Sequence, residues 1–297
     1  KPMNEDTPPM AFTGERFTPE CVREIWYEHW HRYAFAAPLV AGKRVLDAAC
    51  GEGYGSNLLA GMAAEVVGLD ISAEAVGHAR SRYADRKNLR FEIGDASKLP
   101  FADATFDCVV SFETLEHLAA QQELVAGFQR VLKPDGLLLI SSPDKRNYSD
   151  IAGFRNEFHV RELYREELQE LLLQHFPHVR LYAQKLLFQS ALWSLDGQGS
   201  GCRVSSLDAD GSGLVDGMTS APLYYVAACS RQPLAPELPA ISWFADRQES
   251  VYSHYNGEVR KNMSSGTRIA ELEAEVQRLR DASTRKPRTR WFGWLRR

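Results

Sequence analysis

The chain has 297 residues, with 35 Lys and Arg against 39 Asp and Glu, 44% hydrophobic residues and five cysteines. This composition argues against a disordered or low-complexity protein, and the length allows one large domain with an appendage or two small domains. No run approaches the ~18 apolar residues that span a bilayer, no signal-type h-region follows Lys1, and Cys21, Cys50, Cys108, Cys202 and Cys229 form no CxxC pair. A cytoplasmic location is therefore expected, without a zinc cluster or a disulfide framework.

The net charge of −4 is unevenly spread. Arg285 to Arg297 holds six basic residues and no acid; without them, 29 basic residues face 39 acidic ones, and the body stands near −10. Such a body repels a phosphate backbone, so no nucleic-acid partner is expected.

Residues 1–20 are rich in Pro and polar side chains, and an aromatic helix is predicted from Glu20 to Leu39, ending near Pro38. Strands are predicted at Arg44–Ala49, Glu65–Asp70, Leu89–Ile93, Phe106–Phe112 and Leu137–Ser141. Helices are predicted at Tyr54–Met62, Ala73–Tyr83 and Ala119–Val131. This alternation, with strands that are almost continuously apolar, indicates βαβ units around a parallel sheet covered on both faces. An amphipathic helix at Val160–Gln174 follows, then strands at Val179–Trp193 and Leu223–Ser230, separated by a Gly/Ser/Asp-rich loop from Leu195 to Ala221. Residues 232–265 read as a linker. Ile269, Leu272, Val276 and Leu279 fall at a/d spacing in a short coiled-coil-like helix over residues 266–283, where a dimerising seam and a solvated surface compete. The expected domain order is a lid segment (1–41), an α/β domain (42–231), the linker, that helix and a basic, aromatic tail (284–297).

The most informative segment is Val45-Leu-Asp-Ala-Ala-Cys-Gly-Glu-Gly-Tyr-Gly55, a glycine-rich turn between a predicted strand and a predicted helix. Glycines at 51, 53 and 55 let the backbone come close to a ligand. Asp47 just ahead of them suits a cationic or hydroxyl-rich ligand better than a phosphate. Asp70 ends the next strand, where a carboxylate can accept both hydroxyls of a ribose, and Gly94-Asp95-Ala96 adds a third acid at a strand's carboxyl end. The set fits a ligand with an amino group, a ribose and an adenine but no phosphate, namely S-adenosyl-L-methionine.

VLDAACGEGYGS, EVVGLDIS, GDASKLPFADATFDCVVSFETLEHL and RVLKPDGLLLIS, in that order over residues 42–143, resemble the class I S-adenosylmethionine-dependent methyltransferases. The resemblance implies a Rossmann-like α/β fold with a seven-stranded, mostly parallel sheet whose last strand, Leu223–Ser230, runs antiparallel. It also implies that Asp47, Gly51 and Gly53 line the methionine part of the donor, Asp70 holds the ribose, Ile71 packs on the adenine, and Asp95, with Ala96, bonds the adenine amino group.

For the acceptor side, a hydroxyl needs a general base, and histidine is tuned for that near neutral pH. His78, His175 and His178 are expected to be ordinary solvated residues. Glu113, Glu116 and His117 follow the fourth strand, and a helix starting there would put all three on one face. They could form an oriented base, three ligands of a divalent cation, or a helix cap without chemistry. E-x-x-E-H is similar to the pattern of plant small-RNA 2′-O-methyltransferases and ubiquinone-pathway O-methyltransferases, some of which use a metal there; that resemblance implies a fourth ligand, for which His159 is the candidate. The base, or an acceptor-orienting His117, is preferred to the metal.

Gly14-Glu-Arg-Phe-Thr-Pro-Glu20 with Glu28-His-Trp-His-Arg-Tyr33 resembles methyltransferases of bacterial surface-polysaccharide and O-antigen clusters. That implies a sugar or lipid-linked glycan acceptor, with Arg16, Tyr27, His31 and Tyr33 near the pocket. The rival expectation makes Trp26, Trp30 and Tyr33 core aromatics. The tail mixes its six cations with Trp291, Phe292, Trp294 and Leu295, which suits the inner face of a membrane or a glycan-assembly partner.

Overall fold

The computed structural model describes residues 24–196, 201–236 and 238–284. It holds α1 (Glu24–Leu39), β1 (Arg44–Ala48), α2 (Tyr54–Leu59), β2 (Glu65–Asp70), α3 (Ala73–Arg82), β3 (Leu89–Ile93), β4 (Phe106–Ser111), α4 (Gln121–Val131) and β5 (Leu132–Pro143). Then come α5 (Arg165–Leu173), β6 (His178–Gln184), β7 (Ser205–Leu207), β8 (Leu214–Asp216), β9 (Tyr224–Ser230) and α6 (Ser250–Thr284).

Seven strands form one sheet in the order β3-β2-β1-β4-β5-β9-β6. The β1, β2, β3, β4 and β5 pairings are parallel, whereas β9 enters between β5 and β6 antiparallel to both. This is the expected Rossmann-like α/β arrangement, with the last strand reversed. The strand order turns back between β1 and β4, so the crevice at their carboxyl ends is where a ligand of an open α/β sheet binds.

Alternate residues of the strands feed two cores. Leu46, Val67, Val109 and Leu138 pack with α4 and α5 on one face, while Val45, Val66, Cys108 and Leu139 pack with α1 and α2 on the other. Burial on both faces explains why the strands read as nearly unbroken apolar runs. The described part of the expected lid belongs to this core, since Ala36 of α1 and Val40 just after it are fully buried and Trp26 and Trp30 pack against the cluster from partly buried positions.

Several element boundaries differ from expectation, each for a local reason. The helix expected over Tyr54–Met62 stops at Leu59, where Ala60 caps it onto Leu58 and Ser56 carbonyls ahead of Gly61. The strand expected over Val179–Trp193 stops at Gln184, because its partner β9 begins opposite it at Tyr224 and offers no further ladder. The long loop between them contains a small hairpin, β7 against β8.

The chain divides into two units, Lys1–Phe244 and Ala245–Arg297. In the second, α6 is not the short helix expected over 266–283 but 35 residues long, about 52 Å, and takes in half of the expected linker. It starts early because Asp246 accepts the Ser250 N–H at 3.1 Å, supplying an end that the apolar period alone did not reveal. Ile269, Leu272, Val276 and Leu279 stay exposed along it.

Candidate functional site

The glycine turn after β1 is shaped by close packing and by left-handed backbone. Gly53 has φ +86°, and a β-carbon there would lie 2.5 Å from the Phe91 ring; one on Gly55 would lie 2.0 Å from the Tyr33 ring. Gly55 therefore makes room for a helix α1 side chain and not for a ligand. Ala49 also sits in the left-handed region, at φ 59°, where a β-carbon is strained.

The turn is held by acids. Asp70, at the end of β2, accepts the Gly51 N–H at 2.8 Å and the Ser72 N–H at 2.9 Å, so it clamps the turn to the start of α3. Asp95 accepts both the N–H and the hydroxyl of Ser97, at 2.8 and 2.7 Å, and these bonds hold its carboxyl below the usual range. Asp47 is fully buried. It accepts the Ser56 hydroxyl at 2.6 Å and the Tyr33 hydroxyl at 3.2 Å, yet burial pushes its carboxyl up to about 7.

One cavity of about 360 Å³ opens at these carboxyl ends. Gly51, Asp70, Ile71, Asp95 and Ala96 line one side, and Glu113, Glu116, His117 and His159 line the other. Of the expected residues, Asp47 and Gly53 are not in the lining; they lie behind it, against Tyr33 and Phe91. Ile71 is 72% exposed, an isoleucine presented to the cavity with nothing covering most of it.

The second side differs from expectation in detail. No helix begins at Glu113. That residue has left-handed backbone, φ 51°, and Leu115–His117 form one 3₁₀ turn, so the three side chains do not share a helix face. Glu113 instead accepts the Ser141 hydroxyl at 2.6 Å, donates its own N–H to Ser141 Oγ, and stands 3.5 Å from Arg32 Nη2. The 3₁₀ turn is docked by the segment after β5, with the Glu116 carbonyl accepting the N–H groups of Val160 and Arg161.

That docking brings His159 to His117, with ring centroids 5.1 Å apart. His117 Nδ1 donates to the Phe158 carbonyl at 2.9 Å, which leaves the proton-accepting position at Nε2, 4.0 Å from Glu116 Oε1. His159 Nδ1 donates to Glu162 at 2.6 Å, and its Nε2 accepts from Asn156 Nδ2 at 3.0 Å. Glu116, His117 and His159 each bring one ligand-type atom within 4.8 Å of the others. Glu116 is 1% exposed, neither of its oxygens accepts a hydrogen bond from a described residue, and burial, with the charge of Glu113, raises its pKa well above the carboxylate range. The three therefore form a compact group that can take up a proton or a divalent cation.

Sequence reasoning missed Arg32, Tyr148 and Tyr224. Arg32 lies fully buried on α1, its guanidinium carbon 4.5 Å from the centroid of the Tyr224 ring, and Tyr148 stacks on His159 at 5.4 Å. As the single Arg or Lys on a helix rich in aromatic residues, Arg32 carried the available signal. Tyr33 lines the cavity, Tyr27 and His31 do not, and Arg16 lies outside the described residues. His78, expected to be solvated, is mostly buried against Glu52, 3.4 Å away.

Residues 39–179 match the family model of a methyltransferase domain. Over 166 residues the chain is 41% identical to a "Probable S-adenosylmethionine-dependent methyltransferase" of Mycolicibacterium smegmatis, covering 55% of this chain and 63% of that protein. Over 169 residues it is 39% identical to a protein of the same description from Mycobacterium tuberculosis, covering 55% of this chain and 60% of that one. The chain thus spans about three fifths of the length of these relatives. A "Ubiquinone biosynthesis O-methyltransferase" of Thiobacillus denitrificans is 38% identical over 108 residues, 36% of this chain and 46% of that protein. Among the described residues, no helix is long and apolar enough to cross a membrane.

Proposed function

We propose that residues 39–179, which match the methyltransferase-domain model, form a class I S-adenosylmethionine-dependent methyltransferase domain and that the chain transfers a methyl group from S-adenosylmethionine to a hydroxyl of a sugar or glycan-linked acceptor. The observation that carries this reading is the two-sided cavity, with the glycine turn, Asp70, Ile71 and Asp95 facing Glu116, His117 and His159. The exposed Ile71 suits a flat adenine, Asp70 suits the ribose hydroxyls, and Asp95 suits the adenine amino group.

Methyl transfer from a sulfonium is an in-line displacement in which alignment of the acceptor supplies much of the rate. His117 Nε2 is the proton acceptor for the hydroxyl, with Glu116 Oε1 4.0 Å away. The polar wall suits a hydroxyl-rich acceptor. A small aromatic such as a quinone precursor is the alternative; it would need an apolar wall, although one relative's name points that way.

A second reading is favoured by the Glu116 oxygens, which have no hydrogen-bond partner among the described residues. Glu116, His117 and His159 would hold a divalent cation, with Phe158 and Glu162 orienting the imidazoles, and the cation would lower the pKa of the acceptor hydroxyl. The basic, aromatic tail, outside the described residues, supports attachment to an anionic membrane surface or a glycan-assembly partner, and the exposed seam of α6 supports pairing with a second copy.

The test is calorimetry with S-adenosylmethionine, followed by transfer of radiolabelled methyl into a cell-envelope glycan extract and into quinone precursors, each with EDTA and with added Mg²⁺. Label in the glycan, insensitive to EDTA, is expected. Loss of transfer in EDTA, restored by Mg²⁺, selects the cation reading. Label only in quinones selects the aromatic acceptor, and donor binding without transfer to either points to a donor-binding scaffold.

A further inference from the structure

A second cavity, of about 350 Å³, lies on a different face of α1, closed by the end of β6 and by Ala240–Phe244. Several rings stand in its walls. Phe35 meets Tyr182 edge-on with centroids 5.0 Å apart, His31 stacks on Phe244 at 5.6 Å, and Trp243 adds a further ring. Aromatic walls of this kind suit a flat apolar body.

Two polar side chains in the lining have buried atoms without a hydrogen-bond partner among the described residues. Arg32 is 1% exposed and its Nε donates to Gln184 Oε1 at 2.8 Å, yet neither Nη1 nor Nη2 makes a hydrogen bond within the described residues. Among the described residues its one ion-pair contact is the 3.5 Å approach of Nη2 to Glu113, and the buried carboxylate of Glu28 shares the lining. The Tyr182 hydroxyl is buried and has no partner among the described residues either. Lys185 adds a second positive charge to the same lining. Buried donors without acceptors are costly, a buried guanidinium most of all, and an anionic acceptor placed among them would relieve that cost.

We propose that this cavity is a second small-molecule site, separate from the two-sided cavity, for a flat apolar molecule bearing a carboxylate. The rings of Phe35, Trp243 and Phe244 take the apolar body, while Arg32, Tyr182 and Lys185 take the carboxylate. The proposal does not depend on the methyl-transfer reading, because the two cavities are lined by different residues.

The test uses the full chain and 2-naphthoate as the probe, with 2-naphthylmethanol as its uncharged counterpart, in titration calorimetry. One equivalent of naphthoate is expected to bind, at least tenfold more tightly than the alcohol. Lys185→Ala, a change at an exposed position, and Trp243→Ala should each weaken naphthoate at least threefold. Saturating S-adenosylhomocysteine should leave its affinity within twofold. Absence of naphthoate binding, equal affinity for acid and alcohol, indifference to both substitutions, or displacement by S-adenosylhomocysteine would each overturn the proposal. Arg32 is left intact because it also stands beside Glu113.

Discussion

The two sides of the cavity draw on different ranges of the chain. The acidic rim comes from the successive ends of β1, β2 and β3, and its main clamp, Asp70 to the Gly51 N–H, spans only 19 residues. The histidine wall comes from the end of β4 and from the segment after β5, and its bonds span about forty residues, as from His117 to Phe158. Behind it Arg32 of α1 reaches Glu113 and Gln184, across still larger separations. The rim is thus a local device repeated along a βαβ unit, whereas the wall exists only after the sheet has assembled.

That contrast sets the expected consequences of substitution. The largest should fall on the wall: His117→Ala should lower the transfer rate by about 10²–10⁴-fold, the usual yield of a general base, while donor affinity stays within about twofold. Label incorporation and calorimetry on the same protein check both halves; near-normal turnover would remove His117 from catalysis.

Asp47 tests the buried support between rim and α1. Its carboxyl titrates at about 7 in the folded chain against 3.8 for the ordinary group. Between those values the folded state holds a proton that the unfolded state has lost, so wild type loses stability as pH rises through this window. The full effect is on the order of 4 kcal/mol above pH 7. Asp47→Asn removes this titration, so its melting temperature relative to wild type should improve from pH 5 to pH 8; a difference independent of pH would contradict the assignment.

On the rim itself, Asp70→Asn should weaken donor binding by about tenfold to a hundredfold, the worth of a hydrogen bond to a charged group, with transfer at saturating donor far less affected than in His117→Ala. Equal losses in both measurements would blur the distinction between rim and wall. The smallest effect is expected at Ala49. Ala49→Gly relieves left-handed backbone and should raise thermal stability by about 1 kcal/mol, read as a higher melting midpoint.

Much of the rim was legible from residue order. A glycine turn after a strand, with acids ending the next two strands, needs only the period-2 and period-3.6 patterns to be located in space. Even so, Gly55 turned out to serve Tyr33, and Asp47 to lie behind the lining, because a side chain from α1 fills the space that a ligand was expected to use. The wall was legible only as a set of residue types. Its histidines and glutamates were identified, but the 3₁₀ turn, the left-handed Glu113 and its attachment to Arg32 arise from contacts that no local pattern encodes. The early start of α6 escaped notice for the opposite reason: Asp246 caps a stretch without apolar period.

Residue order by itself determined the alternation of strands and helices, the acidic rim and the likeness to a methyltransferase domain, because hydrophobic period, turn residues and strand-end carboxylates act over a few residues. The tertiary structure alone decided that His117 and His159 meet, that the Glu116 carboxyl is buried without a hydrogen-bond partner among the described residues, and that Arg32 stands between two cavities. Those outcomes depend on which distant segments exclude water from one another, and such burial is a property of the assembled sheet and its helices.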